Sequence, residues 1–233
     1  MVNRKSDTGD TQKRKSGRKR VFLVDDHPMV REGLATMISL TRDLEVVGEA
    51  GCAEEAYQKL QADVPDLLMI DLSMPGMNGI DLIKEMRVRY PQLRVLVVSM
   101  HEENIYAARV LRAGAQGYIM KQASSTEIIE AARTVLRGEV YVSPVVASRL
   151  LKMIADGDIG LRQRNSIDDL SNRELQVLTC IGNGLATQEI ADHLHLNVKT
   201  IQTYREHIKR KLTLRNATDL AHYATQWVQS QNK

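Results

Sequence analysis

The chain has 233 residues, with 32 Lys and Arg against 29 Asp and Glu, a net charge of +3, and only one Trp and one Phe. That length suits two compact domains with aliphatic cores. No apolar stretch approaches the ~20 residues that span a bilayer, and the basic start lacks the apolar segment of a secretory signal, so a cytoplasmic protein without membrane association is expected.

Residues 1–20 hold eight Lys and Arg against two Asp, which leaves the rest of the chain slightly acidic. Residues 1–19 show no apolar periodicity and read as a disordered basic tail. A solvated leader is the plainer reading of it, and loose contact with a polyanion the alternative. From 20 to 138, short apolar runs at 21–24, 44–49, 67–71, 93–98 and 117–120 alternate with amphipathic stretches. The first stretch starts at Pro28, and the others cover 53–61, 79–90, 102–113 and 125–136. Pro91, Gly114 and Gly138 end helices. Five such units predict an α/β doubly wound, five-stranded parallel sheet. Residues 139–167 read as a linker, with a helical turn or two across 148–154 and a flexible Asp156-Gly157-Asp158-Ile159-Gly160.

Residues 168–229 read as a small all-α domain. Ser171 caps a first helix to about 181, Thr187 a second over 188–194, and Asn197 a third over 198–212. A fourth starts at Asn216 and runs to about 227. A short helix, a tight turn at His195-Leu196-Asn197 and a longer helix make a helix-turn-helix. Ile201, Tyr204, Ile208 and Leu212 share one face of the third helix and should pack inward. Gln202, Thr203, Glu206, Lys209 and Arg210 then face outward, a set suited to a major groove. Lys199 and Thr200 at its start suit phosphate, helped by free backbone N–H groups. Cys52 and Cys180 lack metal-type spacing and read as reduced, buried thiols.

Asp25, Asp26, Asp71, Ser99 and Lys121 each end or follow one of the apolar runs. The fold brings such positions to the carboxyl edge of the sheet, where open α/β proteins place their chemistry. Three carboxylates there repel one another unless a divalent cation neutralises them, and oxygen ligands without His or Cys favour Mg²⁺ or Mn²⁺ over zinc. Lys121 can hold a phosphoryl oxygen and Ser99 offers a hydroxyl. A carboxylate in such company can attack phosphorus and form an aspartyl phosphate. Taken singly, each residue has a plainer reading: a helix cap, a turn, a solvated lysine. The ordered set outweighs them. A phosphatase of the haloacid-dehalogenase kind would share the intermediate but needs an Asp two residues after the nucleophile, where this chain has Ser73.

Val24-Asp25-Asp26-His27-Pro28, the run from Asp71 through Pro75 and Asn78 to Gly79, Ser99, and Gly117-Tyr118-Ile119-Met120-Lys121 resemble the receiver domain of response regulators, across 20–138. Leu170-Ser171-Asn172-Arg173-Glu174, Gly184, Glu189-Ile190-Ala191, Val198-Lys199-Thr200-Ile201, Lys211-Leu212 and Asn216-Ala217-Thr218 resemble the LuxR-type DNA-binding domain, across 168–228. Together they resemble the NarL/FixJ family of transcriptional regulators.

The resemblance implies a flavodoxin-like receiver in which Asp71 takes a phosphoryl group from a sensor histidine kinase. It implies Mg²⁺ on Asp26, Asp71 and the Ser73 carbonyl, with Asp25 assisting, and Ser99, Tyr118 and Lys121 as the phosphoryl contacts and switch. Gln202, Thr203 and Glu206 would read bases of double-stranded DNA, while Lys199, Thr200, Arg205 and Lys209 grip its backbone. Leu220, Tyr223, Ala224 and Trp227 would form the surface of a homodimer favoured by phosphorylation; packing within their own domain is the plainer reading, and both can hold for different faces of the helix. Such a protein is not a turnover enzyme. The unphosphorylated receiver is expected to mask the third or fourth C-terminal helix. One departure is Gln122, where the family usually has a Pro joined by a cis bond. A cis bond to a non-proline costs ~2.5–4 kcal/mol, so the loop after Lys121 is expected to differ.

Overall fold

Five strands pair in parallel in the order β2-β1-β3-β4-β5: β1 (Lys19–Val24), β2 (Leu44–Ala50), β3 (Leu67–Ile70), β4 (Arg94–Ser99) and β5 (Gly117–Met120). The structure, a computed structural model, describes residues 17–74, 79–155 and 166–231. The expected tail up to residue 16, the turn at 75–78 and the segment 156–160 lie outside the described residues.

Helices α1 (Pro28–Ser39) and α5 (Ser125–Leu136) cover one face of the sheet, and α2 (Ala53–Ala62), α3 (Gly79–Arg89) and α4 (Glu103–Ala113) cover the other. The period-two geometry of a strand explains the apolar runs. Val21 and Leu23 point to the α1/α5 layer, and Phe22 and Val24 to the opposite one. A parallel sheet buried on both faces needs apolar residues at every position, and β3 is buried throughout. Strand order reverses between β1 and β3, so the crevice for chemistry opens at their carboxyl ends.

The linker holds more structure than expected. Helix α6 (Pro144–Ala155) runs a full 12 residues, not a turn or two. Ser143 Oγ accepts from Val146 N–H, Pro144 takes the first helical position, and the Ser143 N–H donates to Glu103 Oε1 at 2.6 Å, which ties the helix to α4. Just before it, Tyr141 pairs with Gly117 as a parallel bridge along the β5 edge. Tyr118 N–H donates to Tyr141 O at 2.9 Å and Tyr141 N–H to Gln116 O at 3.0 Å.

The C-terminal part opens with a 3-10 turn (Ser166–Asp169), followed by α7 (Asn172–Gly182), α8 (Thr187–His193), α9 (Val198–Lys211) and α10 (Ala217–Gln231). Ser171 and Glu174 form a capping box on α7, and Asn197 caps α9 through Thr200 N–H at 2.7 Å. Thr187 is not a cap. It is the first residue of α8, and the Ala186 N–H ahead of it donates to Glu189 Oε2. Ile201, Ile208 and Leu212 pack inward with Tyr204 partly buried beside them.

Two further expectations are corrected. Leu220 and Ala224 are fully buried inside their own domain, because α10 lies directly on α7. A Cβ on Gly182 would stand 2.5 Å from Ala224 O, so the two backbones touch there. Tyr223 and Trp227 are half-buried against the same core. Cys180 is buried as expected, but Cys52 is half-exposed at the start of α2; both are free thiols.

Candidate functional site

Asp25 follows β1, Asp71 follows β3, Ser99 ends β4 and Lys121 follows β5, so the sheet delivers all four to its carboxyl edge. Asp25, Asp71 and Ser99 are 2 %, 3 % and 0 % exposed, a level of burial that carboxylates tolerate only when paired. Lys121 Nζ supplies the pairing, 2.6 Å from Asp25 Oδ2 and 2.8 Å from Asp71 Oδ2. Burial alone would lower the Lys121 ammonium, but Asp71 and Asp25 overcome it and hold its pKa above the ordinary value. Asp71 Oδ1 accepts from Leu72 N–H at 2.7 Å, and Asp25 Oδ1 from His27 N–H at 2.9 Å.

Gly79 opens α3 directly beneath Asp71. A Cβ there would meet Asp71 O at 2.7 Å and Leu72 Cα at 3.1 Å, so only glycine allows this approach.

Carboxylate oxygens of Asp25, Asp26 and Asp71, with a ring nitrogen of His27, lie within 4.8 Å of one another. Buried Asp26 Oδ1 makes no hydrogen bond in this arrangement, though His27 Nδ1 stands 2.8 Å away. A hard divalent cation fits that donor set: it would satisfy an oxygen with no hydrogen bond and offset three like charges. His27 was not foreseen in the cluster, although it directly follows the acidic pair.

The loop after Lys121 keeps a trans bond to Gln122, since no described peptide bond is cis. Lys121 N–H donates to Ser99 O at 2.9 Å and Ala123 N–H to Met120 O at 3.0 Å, which closes the turn without the cost of a cis bond.

Tyr118 is fully buried. Its hydroxyl donates to the backbone oxygen of His101 at 2.8 Å, and burial raises its pKa despite a hydrogen bond with Ser99. His101 was not foreseen at this edge. Its Nε2 lies 2.5 Å from Ser73 Oγ and 2.8 Å from Gln176 Nε2 of α7, and its ring stacks on Tyr106 at 4.6 Å. The carboxyl edge of the sheet therefore meets the C-terminal domain. Arg109 of α4 donates to Leu170 O at 2.5 Å, and a cavity of about 190 Å³ between the parts is lined by Leu72, Ser73, Met74, Arg173, Gln176 and Tyr204, among others.

This docking differs from the expected masking. The receiver rests on α7, the first helix of the C-terminal domain, and reaches α9 at Tyr204. Lys199, Gln202, Thr203 and Glu206 remain exposed, with Thr200, Arg205 and Lys209 partly so. Thr200 N–H is committed to the Asn197 cap and is not free for phosphate. Lys209 Nζ pairs with Glu206 Oε1 at 2.8 Å.

Residues 21–133 match the model of the response regulator receiver domain, and 168–224 that of the bacterial regulatory proteins of the luxR family. The oxygen regulatory protein NreC of Staphylococcus carnosus is 37% identical over 210 residues, which cover 88% of this chain and 96% of that protein. A structure of RcsB from Salmonella enterica serovar Typhimurium, bound to promoter rprA with the phosphomimetic BeF3−, aligns with a TM-score of 0.55 at 29% identity. That alignment covers 89% of this chain and 98% of RcsB. A LuxR-family response regulator from Aurantimonas sp. matches with a TM-score of 0.55 at 34% identity, over 59% of this chain and 99% of its own.

A receiver domain joined to a LuxR-type domain defines a two-component response regulator that binds DNA. The chain belongs to the NarL/FixJ family of these regulators. Among the described residues no helix is long and apolar enough to cross a membrane.

Proposed function

We propose that Asp71 accepts a phosphoryl group from the phosphohistidine of a sensor kinase and that this change controls DNA binding by α9. The observation that carries the reading is the buried Asp25–Lys121–Asp71 arrangement at the crevice. An Asp71 oxygen attacks phosphorus, the P–N bond to the kinase imidazole breaks, and an acyl phosphate remains. Lys121 then turns from pairing two carboxylates to holding a phosphoryl oxygen. Ser99, already buried at the edge, supplies a hydroxyl to another.

The donor set fits Mg²⁺, with Asp26, Asp71 and the Ser73 carbonyl as ligands and Asp25 assisting; when bound, the ion offsets charge on the transferring group. The protein stores a signal on its own carboxylate and does not turn over a substrate. The domains divide as 20–138 and 168–229, joined by 139–167. A regulator of this kind works in the cytoplasm.

On the DNA side, Gln202, Thr203 and Glu206 present side chains to base edges, and Lys199, Thr200, Arg205 and Lys209 to phosphates. A structure of two RcsB dimers on two DNAs supports a homodimer on double-stranded DNA here too. With Leu220 and Ala224 buried, the exposed side of α10, next to half-buried Tyr223 and Trp227, is left for pairing.

The test is DNA affinity of wild type and Asp71→Ala at matched salt, with Mg²⁺ and acetyl phosphate. The donor should raise affinity of wild type alone. An equal response of both proteins overturns the reading.

A further inference from the structure

His101 sits where three independent sets of contacts meet. Its backbone N–H faces Ser99 Oγ at 3.3 Å, and its backbone oxygen accepts from the Tyr118 hydroxyl at 2.8 Å. Its ring nitrogen Nε2 meets Ser73 Oγ at 2.5 Å and Gln176 Nε2 at 2.8 Å, while the ring lies flat on Tyr106. Gln176 belongs to α7 in the other domain and is 7 % exposed.

The chemistry of the ring is fixed by its neighbours. Arg173 donates to Gln176 Oε1 at 3.0 Å, so the amide of Gln176 must turn its NH₂ toward His101. His101 Nε2 therefore accepts, and the ring is neutral with its proton on Nδ1. Burial favours the same form by lowering the ring's pKa, against the opposing pull of Asp71.

We propose that His101 is the positioning residue that couples the phosphoacceptor site to the DNA-binding domain, through a Ser73–His101–Gln176 clasp that holds the domains together until Asp71 is phosphorylated. This rests on the phosphorylation reading above. Ser99 and Tyr118, the two residues expected to move on phosphorylation, hold the two backbone groups of His101. When Ser99 Oγ turns to a phosphoryl oxygen it leaves the His101 N–H. When Tyr118 changes rotamer it leaves the His101 carbonyl. A ligated Ser73 carbonyl would shift the third contact. Each change loosens the ring from Gln176, and α7 comes away with the helices packed on it.

The test is amide hydrogen exchange of the full chain, followed in residues 99–106 and in α7. Gln176→Ala should raise exchange in 99–106, and His101→Phe, which keeps a flat ring on Tyr106, should raise it in α7. Each variant is read in the domain it does not alter, so local unfolding is not mistaken for opening. Loss of one neutral hydrogen bond corresponds to a rise of about three- to tenfold. His101→Gln places an acceptor near the position of Nε2 and should restore wild-type exchange. The clasp is overturned if both variants exchange like wild type, or if His101→Gln opens as far as His101→Phe. Beryllofluoride with Mg²⁺ should raise exchange in wild type and add little in Gln176→Ala. If Gln176→Ala opens but wild type ignores beryllofluoride, the clasp stands and the phosphorylation reading of Asp71 fails instead.

Discussion

The ammonium of Lys121 is shared between two carboxylates that follow different strands, with Asp71 at 2.8 Å and Asp25 at 2.6 Å, and all three side chains are almost wholly buried. Removing one partner from such a group leaves buried charge uncompensated. Lys121→Ala should therefore cost the receiver about 3–5 kcal/mol in urea unfolding. Mg²⁺ should stabilise this variant more than wild type, because the ion can take over the neutralising role. A variant with unchanged stability, or one indifferent to Mg²⁺, contradicts this account.

Gly79 predicts a loss without any change of charge. Its missing Cβ leaves room for the Asp71 carbonyl at 2.7 Å, and backbone cannot yield as a side-chain tip can. Gly79→Ala should destabilise the receiver by about 1–3 kcal/mol. On the phosphorylation reading proposed above, it should also slow modification by acetyl phosphate, since α3 would push the Asp71 backbone. Both effects are measurable on one sample by chemical unfolding and intact-mass kinetics.

In the C-terminal domain, buried Glu174 accepts from Ser171 N–H and from Lys211 Nζ, each at 2.7 Å. Burial would raise its pKa, but Lys211 and Ser171 win and hold it below the ordinary 4.5. A carboxylate depressed in the folded state stabilises above its unfolded pKa, and that stability is lost as pH falls through the folded value. Wild type should therefore lose melting temperature below about pH 4.5 with a component that Glu174→Gln lacks. At neutral pH, Glu174→Gln should melt lower than wild type. Parallel pH curves for the two proteins would remove Glu174 from the explanation.

Gly182 makes a fourth case. A methyl group there would collide with Ala224 O and Val228 Cγ2, each at 2.5 Å. Gly182→Ala should push α10 off α7 at a cost of about 1–3 kcal/mol. Trp227 is the chain's single Trp and lies on α10, so its fluorescence should report the shift directly.

On the DNA-binding reading proposed above, the α9 face separates two kinds of DNA contact. Gln202→Ala should cost about 1–3 kcal/mol on a specific site and little on unrelated DNA. Lys199→Ala should weaken both and reduce the salt slope by about 0.9. Titrations of one specific and one scrambled duplex at several salt concentrations distinguish the two outcomes.

Much of this architecture was legible in the residues. β5 and α5 match their expected bounds because glycines at 114, 117 and 138 punctuate a clean apolar pattern. The acidic site was legible because parallel strands must deliver their ends to one edge. The full length of α6 was missed even though Ser143 and Pro144 carry an ordinary start signal; within the helix, Val146 is buried against the receiver, a tertiary contact that no local pattern announces. An apolar stripe says that something covers it, not what. Leu220 and Ala224 are covered by α7 of their own domain. The ring contacts of His101 left no local signal, since the partners of its Nε2 lie 28 and 75 residues away.

Tyr141 covers part of the receiver's outer border. A terminal strand normally presents unused amides and carbonyls that can recruit an extended segment of another molecule. Here the chain leaving α5 has already occupied part of that row beside β5. That stretch of edge backbone is already paired, and the same short stitch anchors the start of the tether within two residues of Tyr118.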